Sequence, residues 1–163
     1  MTHRDLSSDI AAALGRIPSG LFVVSARRDD VETAFLGSWI MQAGFEPPAI
    51  SVAVGAERTA LAFMQGRGRA FAVSVIGEGE REKLGPFYRG IAPAPHALAE
   101  LDVERTPAGL AVVRGCLAWL ECATRAVLAG ATDHALIVGE VLHARLQGDR
   151  APTIHVRTNG LRY

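Results

Sequence analysis

Short apolar runs with a two-residue periodicity make up most of the chain, and turn-forming residues separate them. This pattern is typical of antiparallel strands, whose side chains point alternately to the two faces of a sheet. Helices are favoured only in short stretches near 8–15, 57–66 and 77–90. The sequence therefore predicts a mainly β fold, a closed or nearly closed antiparallel barrel with a few short helices. The predicted strands are LFVVSA, 34–45, AISVAV, RAFAVSVI, CLAWLECATRAVLAG, HALIVGEVLHARL and TIHVRTNGLRY.

Length and charge set the broad class of the protein. The 163 residues suit one domain, 1–163, and 17 basic against 17 acidic residues leave no net charge at neutral pH. We therefore expect no electrostatic surface for nucleic acid. No apolar run reaches the length of a membrane span and the N-terminus has no apolar signal core, so we expect a cytoplasmic protein with no membrane partner. The proline-rich connection 89–110 is a candidate lid or partner arm.

The numbers and positions of cysteine and lysine residues argue against several kinds of site. Cys116 and Cys122 lie six residues apart in one predicted strand, so they share a face at about 20 Å and cannot bond to each other. We expect two buried thiols and no metal site, because the five histidines show no close pairing that would complete a zinc site. Lys83 is the single lysine and lies in a highly charged stretch, which argues against a pyridoxal enzyme.

The predicted strand 34–45 combines an apolar face with a mixed one. The apolar or glycine face consists of Phe35, Gly37, Trp39, Met41, Ala43 and Phe45. The other face carries Ser38 and Gln42 beside Leu36 and Ile40, and no charge occurs between Glu32 and Glu46. The polar pair could face a bound ligand, or it could hydrogen-bond to backbone within a two-sided core.

Three further places contain candidate functional residues. Arg58 and Thr59 follow a strand end at a helix start, where an anion is favoured, although a solvated arginine and a simple cap explain them as well. Asp133 and His134 enter a strand after a turn, where a histidine is usually just solvated. The third place is the first strand, whose ends carry Ser19, Ser25 and Arg27, and there serines commonly serve local turns.

Familiar catalytic motifs are absent from the sequence. It contains no GxSxG, GxxxxGK[ST] or HExxH, and no GxGxxG followed by an acidic residue. Hydrolase, nucleoside-triphosphatase and Rossmann interpretations therefore lose support. A chain with so few catalytic candidates either depends on a cofactor for its chemistry or is not an enzyme.

A set of motifs in a fixed order resembles a known family. IPSGLFVVSARRDDVETAFLGSWIMQAGFEPPAISVAV is followed by RAFAVSVIGEGE, LAWLEC, TDHALIVGEV and the closing RTNGLRY. From about Leu14 to Tyr163 this order is similar to the flavin reductase-like family with the FMN-binding split barrel, in particular to the flavin reductase modules of flavodiiron proteins. Each motif alone is weak, and the combination is more specific.

The resemblance implies a six-stranded antiparallel split barrel that forms a homodimer and holds FMN at the dimer interface. The strand GSWIMQA would line the flavin, with hydrogen bonds from Ser38 and Gln42 and with Trp39 and Ile40 beside the ring or ribityl chain. Arg58 and Thr59 would bind the phosphate, and His134 would lie near the nicotinamide. The implied cofactor-binding set is Gly37, Ser38, Trp39, Ile40, Gln42, Ala43, Arg58 and Thr59, with His134 as the catalytic candidate.

The function implied by the resemblance is hydride transfer from NADH or NADPH to flavin, with reduced flavin passing to a partner oxygenase or another acceptor. Three departures from the family pattern affect details: Thr132 stands where glycine is usual, and Ser74 and Glu80 stand where Asn and Gln are frequent. The alternatives are a non-catalytic FMN-binding electron-transfer protein and a haem-binding or pyridoxamine-phosphate-oxidising relative on a similar barrel.

Overall fold

The computed structural model describes residues 6–88 and 95–161. Its helices are α1 (Leu6–Gly15), α2 (Thr59–Met64), α3 (Gly85–Tyr88) and α4 (Pro95–Glu100), with a 3-10 turn at Arg81–Leu84. Its strands are β1 (Phe22–Arg28), β2 (Val31–Gly37), β3 (Ile40–Phe45), β4 (Pro48–Gly55), β5 (Ala70–Val75), β6 (Val103–Arg105), β7 (Ala111–Val113), β8 (Ala118–Leu128) and β9 (His134–Leu146).

Seven strands form one antiparallel sheet in the order β2-β1-β5-β8-β9-β4-β3, and β6 pairs with β7 in a small second sheet. The edge strands β2 and β3 lie at opposite ends of this order, yet only Ser38 and Trp39 separate them in the chain. Three residue steps span about 10 Å at most, so the two edges must come close together. The sheet is therefore curled into a nearly closed barrel.

The first hairpin shows how local sequence sets the register. Arg28 pairs with Val31, so the turn between β1 and β2 contains only Asp29 and Asp30. Asp29 adopts a φ of 54°. An aspartate tolerates this left-handed conformation better than most side chains, which suits it to so tight a turn.

Two hydrophobic cores lie on opposite faces of the sheet. The interior core contains Val24, Val52, Phe71 and Ile137, and α2 covers it with Met64. The second core lies on the outer face of β1, β5 and β8, beneath β6, β7 and the 3-10 turn. Its members include Ile76, Leu84, Val112 and Trp119. Because both faces of β1 and β5 are covered, their sequences are almost continuously apolar rather than alternating.

The structure confirms the predicted class, a mainly β barrel with a few short helices, although the main sheet has seven strands rather than six. Two predicted strands differ. The stretch 34–45 is broken at Ser38 and Trp39. The described part of TIHVRTNGLRY, 153–161, forms only an isolated bridge between Ser19 and His155 instead of a strand.

Other predicted features have mixed outcomes. Cys116 and Cys122 are buried and unbonded, and burial raises the pKa of Cys116 to about 11 and that of Cys122 to about 12. The connection 89–110 contains α4 and β6, while 89–94 lie outside the described residues. Among the described residues, no helix is long and apolar enough to cross a membrane.

A buried carboxylate joins two separate segments, 77–83 and the region of Arg150, next to the second core. Glu80 is 5% exposed and accepts hydrogen bonds from the Gly77 backbone N–H at 2.7 Å, Lys83 Nζ at 2.6 Å and Arg150 Nη2 at 2.9 Å. Burial by itself raises the pKa of Glu80. The hydrogen bonds from Lys83 and Gly77 and the charges of Lys83 and Arg150 outweigh burial and hold that pKa below its ordinary value of 4.5.

Replacing this carboxylate gives a pH-dependent loss of stability. We expect Glu80→Gln to lower the free energy of unfolding at pH 7 by about 2 kcal/mol, because two charged donors lose an ionised acceptor. A group with a depressed folded-state pKa contributes its stability above the unfolded pKa and loses it as pH falls. The difference between wild type and variant should therefore shrink below about pH 4.5 in denaturant titrations.

The matched control is Glu82→Gln, which removes an exposed carboxylate two residues away. It should change stability by less than about 0.5 kcal/mol. A Glu80→Gln effect that stays constant down to pH 3 would contradict the ion-pair explanation.

Candidate functional site

A cleft of about 730 Å³ lies where the two edges of the sheet meet. Five segments line it: the end of α1 with the turn that follows, the β2–β3 junction, the β4–α2 turn, the turn before β9, and the C-terminal segment 155–161. The lining residues are Leu14, Ile17, Ser19, Trp39, Glu57, Arg58, Thr132, Asp133, His134, Arg157, Gly160 and Leu161.

Trp39 is the aromatic surface of this cleft. It lies in the junction that closes the barrel, and its backbone oxygen accepts a hydrogen bond from the Ala53 N–H at 3.0 Å. The centroids of the Trp39 and His134 rings are 4.9 Å apart, with the ring planes tilted by 52°. The Arg157 guanidinium carbon lies 4.9 Å from the indole centroid. The indole thus contacts a histidine and an arginine from distant parts of the chain.

His134 is fixed by its own turn. It is the first residue of β9 and pairs with Gly55, and the preceding Asp133 carbonyl accepts a hydrogen bond from the Ala56 N–H at 2.9 Å. Thr132 Oγ1 accepts from the His134 N–H at 3.1 Å and donates to the His134 carbonyl at 3.0 Å. A threonine in place of glycine therefore closes this turn with its hydroxyl.

The imidazole of His134 also contacts a carboxylate. Its Nδ1 lies 2.9 Å from Asp133 Oδ1. The hydrogen bond with His134, together with the charge of that histidine, lowers the pKa of the Asp133 carboxyl. The histidine side chain is 16% exposed and the aspartate 89% exposed, so the ring faces the cleft wall while its partner lies in solvent.

Arg58 occupies the N-cap position of α2 in an extended conformation, and its guanidinium carbon lies 5.3 Å from the Phe35 ring centroid. Thr59 begins the helix, is exposed and does not line the cleft. With only six residues, α2 has a short dipole. Any anion recognition here depends mainly on the Arg58 guanidinium.

The remaining predicted cofactor-binding residues lie along the β2–β3 edge, outside the lining of the cleft. Gly37 ends β2, and Ile40 packs partly buried against the interior core. Gln42 is exposed and its Nε2 donates to the Gly44 carbonyl at 3.4 Å, while Ala43 is exposed on the same strand. The structure thus brings Trp39, Arg58 and His134 together and leaves the others near the junction or on the edge strand.

Ser38, on the mixed face of the predicted strand 34–45, has a buried hydroxyl that does not bond to neighbouring backbone. Its side chain is 6% exposed, and its Oγ is buried with no hydrogen-bond partner among the described residues. Ser25, by contrast, donates to the Ala111 carbonyl at 2.5 Å, so it links β1 to the distant strand β7 instead of serving the local turn that was expected. An unpartnered buried hydroxyl costs about 1–3 kcal/mol, which a polar atom of a ligand at the junction would relieve.

Two residues of the cleft, Arg157 and Glu57, were not predicted as functional candidates from the sequence. Arg157 lies in a stretch predicted as a strand, and Glu57 lies beside Arg58 in the β4–α2 turn. No local signal distinguishes either residue from a solvated side chain. Arg157 reaches Trp39 because the C-terminal segment packs on α1, and this long-range contact is visible only in the structure.

The chemistry available in the cleft is stacking and anion recognition. An indole, an imidazole and two guanidinium groups suit a planar ligand that carries phosphate. Within residues 6–88 and 95–161, no three His, Cys, Asp or Glu side chains come together in a group able to hold a metal ion.

Comparison with known proteins identifies a family that the chain matches and solved structures that share its fold. The model of the family described as "Flavin reductase like domain" matches residues 14–160. Diflavin flavoprotein A 1 of Synechocystis is 30% identical over 162 residues. The alignment covers 98% of this chain and 28% of that protein, so the chain spans little more than a quarter of this curated relative.

Solved structures show the same fold at low sequence identity. SgcE6, an NADH:FAD oxidoreductase of Streptomyces globisporus C-1027, superposes with a TM-score of 0.76 at 23% identity, covering 93% of this chain and 82% of that one. BorF, the flavin reductase component of a bacterial two-component tryptophan halogenase, gives a TM-score of 0.79 at 23% identity, covering 92% and 93%.

Removing the Ser38 hydroxyl should cost the ligand-free protein little. We expect Ser38→Ala to leave the free energy of unfolding within about 0.5 kcal/mol of wild type or to raise it, because no hydrogen bond is lost. The matched control is Ser74→Ala, which deprives the buried Val113 N–H of its acceptor at 3.0 Å and should cost about 1–3 kcal/mol. Equal losses in denaturant titrations would show that Ser38 has a structural partner.

Proposed function

The chain belongs to the flavin reductase-like domain family, and we propose that it transfers a hydride from NADH or NADPH to bound FMN. The family and the shared fold support an NAD(P)H-dependent flavin oxidoreductase. One observation of this chain carries the proposal. Trp39, Arg58 and His134, which come from three separate parts of the sequence, line a single cleft.

The residues of the cleft and its margin fit FMN. Trp39 offers an aromatic surface for the isoalloxazine ring, and Arg58 offers a fixed positive charge for the phosphate. The buried, unpartnered Ser38 hydroxyl is the polar group that a ligand at the junction would satisfy. Gln42, whose present hydrogen bond to Gly44 is long at 3.4 Å, is available to exchange that contact for one to the flavin.

The hydride chemistry comes from the two cofactors, since bound flavin accepts a hydride that the dihydronicotinamide donates. This chain would contribute binding and orientation. Hydride transfer requires no acid–base pair, and the cleft offers stacking and charged groups instead. Trp39 would set the plane of the flavin, and Arg58 would anchor its phosphate end.

His134 is proposed to hold the nicotinamide against the flavin. Its ring lies against Trp39, and Asp133 and Thr132 fix both its side chain and its backbone. A ring that contacts two neighbours on a fixed backbone is pre-organised, so little conformational entropy is lost when a second substrate packs against it. The role assigned to His134 is therefore positioning of the hydride donor.

A homodimer is the proposed assembly. β3 is an edge strand of the main sheet, and its side chains include Met41 at 68% and Phe45 at 89% exposure. An exposed edge with large apolar side chains is a surface that soluble proteins normally cover. A second copy, related by two-fold symmetry, is the proposed cover.

The reduced flavin is proposed to serve a partner oxygenase or another acceptor. BorF belongs to a two-component tryptophan halogenase, and the styrene monooxygenase flavin reductase SMOB shares the fold with a TM-score of 0.72 at 22% identity. Diflavin flavoprotein A 1 instead has this region within a longer chain. The two flavin reductases from a halogenase and a monooxygenase support the proposal that reduced flavin is passed to a partner.

The activity is tested by following oxidation of NADH and NADPH by the purified protein with FMN. We expect His134→Ala to retain FMN absorbance and to slow donor oxidation by about 10- to 100-fold, because the nicotinamide loses a positioning contact. His143→Ala is the control, since His143 is an exposed residue of the same strand outside the cleft. Bound yellow cofactor without turnover by the wild type would favour a non-catalytic electron-transfer protein.

The dimer is tested by light scattering at micromolar concentration. We expect the wild type to have twice the mass of one chain and Phe45→Glu to have the mass of one, because a charge would be buried in the apolar contact. Val31→Glu alters an exposed apolar residue on the β1–β2 hairpin and should leave the dimer intact. A wild type that binds flavin as a monomer would contradict the proposed assembly.

A further inference from the structure

The cleft contains a second arginine for which the proposed flavin site has no use. Four side chains that are normally charged at neutral pH line the cleft: Glu57, Arg58, Asp133 and Arg157. Both proposed substrates are anions, since FMN has one phosphate and a nicotinamide dinucleotide has at least two. With Arg58 assigned to FMN, Arg157 is the second arginine of the cleft lining and is left for the phosphates of the hydride donor.

Arg157 is held in place by close contact between backbones. The C-terminal segment lies on the end of α1, where the Arg157 N–H donates to the Gly15 carbonyl at 3.2 Å and the Gly160 N–H donates to the Ala11 carbonyl at 2.7 Å. A Cβ on Gly15 would lie 2.4 Å from the Arg157 carbonyl oxygen, and a Cβ on Gly160 would lie 2.3 Å from Leu14 Cβ. Two glycines therefore permit the contact that fixes the backbone beneath Arg157.

A second backbone contact, two residues before Arg157, also fixes the C-terminal segment. Ser19 and His155 form an antiparallel bridge with N–H to carbonyl distances of 3.0 and 2.8 Å. This bridge attaches the segment to the turn after α1. Arg157 is half-buried between the two backbone contacts, so its guanidinium approaches Trp39 from a fixed base.

The two arginines of the cleft pack on different rings. Arg58 lies over Phe35, whereas Arg157 lies over Trp39, whose indole also contacts His134. Arg157 is therefore grouped with the residue proposed to hold the nicotinamide, and Arg58 is not. A guanidinium stacks through its faces and binds phosphate through the N–H groups in its plane, so one side chain can do both.

We propose that Arg157 binds the phosphates of the nicotinamide dinucleotide and so determines which hydride donors the enzyme accepts. The inference rests on the proposed function, because it assigns a residue to the second substrate of that reaction. Arg157 would select dinucleotide donors over phosphate-free dihydronicotinamides. Arg58 would recognise the flavin phosphate in the same cleft.

The test compares two hydride donors, NADH and 1-benzyl-1,4-dihydronicotinamide, which has the reactive ring and no phosphate. We expect Arg157→Gln to lower kcat/KM for NADH by about 10- to 100-fold, mainly through KM, because a charge-assisted contact is lost. The loss with the benzyl donor should be at least about tenfold smaller. Arg157→Lys should recover part of the NADH loss, since it restores the charge but not the planar fork.

Two further variants complete the design. Arg67→Gln is the matched control, because Arg67 is an exposed arginine outside the cleft, and it should behave as wild type with both donors. Arg58→Gln should weaken FMN binding while riboflavin binding stays the same, whereas Arg157→Gln should alter neither affinity by more than about twofold.

Each outcome decides between defined alternatives. Equal losses with both donors would overturn the proposal and show that Arg157 acts through Trp39. A selective loss of FMN over riboflavin affinity in Arg157→Gln would overturn it in favour of the flavin phosphate. A wild type that oxidises neither donor would overturn the proposed function itself, whereas a normal wild type with an unaffected Arg157→Gln would overturn this inference alone.

Discussion

The short link between β2 and β3 is the constraint on which both barrel and cleft depend. Gly37 ends one edge strand and Ile40 begins the other, so Ser38 and Trp39 must span the gap between the two ends of the sheet. A two-residue link cannot follow the surface of an open sheet, and the sheet therefore curls until its edges meet. The same link places the Trp39 indole and the unpartnered Ser38 hydroxyl at the β2–β3 junction, so closing the barrel also creates the candidate site.

Segments outside the sheet, near both ends of the described chain, complete the cleft at the β2–β3 junction. α1 and the segment 155–161 pack together through Gly15 and Gly160 and form one wall of the cleft. Five residues before this segment begins, Arg150 binds the buried Glu80 beside the second core. One stretch of chain, 150–161, therefore contacts both the second core and the wall of the cleft.

Local pattern predicted the parts of the fold that depend on local physics. Period-two apolar runs predicted most strands. The break at Ser38 and Trp39 was missed because the period-two pattern continues across it, and Gly37 beside the break was counted as part of the apolar face. The position of Arg157 in the cleft was missed because it follows from contacts with α1, more than 140 residues away in sequence. Long-range packing leaves no local periodicity to detect.

The charges of the cleft explain why so few candidate catalytic groups suffice. Two arginines and two acids line the cleft, so its formal charge is close to neutral, and under the proposed function each anionic substrate can be matched by one guanidinium. Trp39 contacts both His134 and Arg157, and these three side chains can order planar rings against each other. Under the proposed function such a site contributes through geometry, which depends on the two-residue link that carries Trp39.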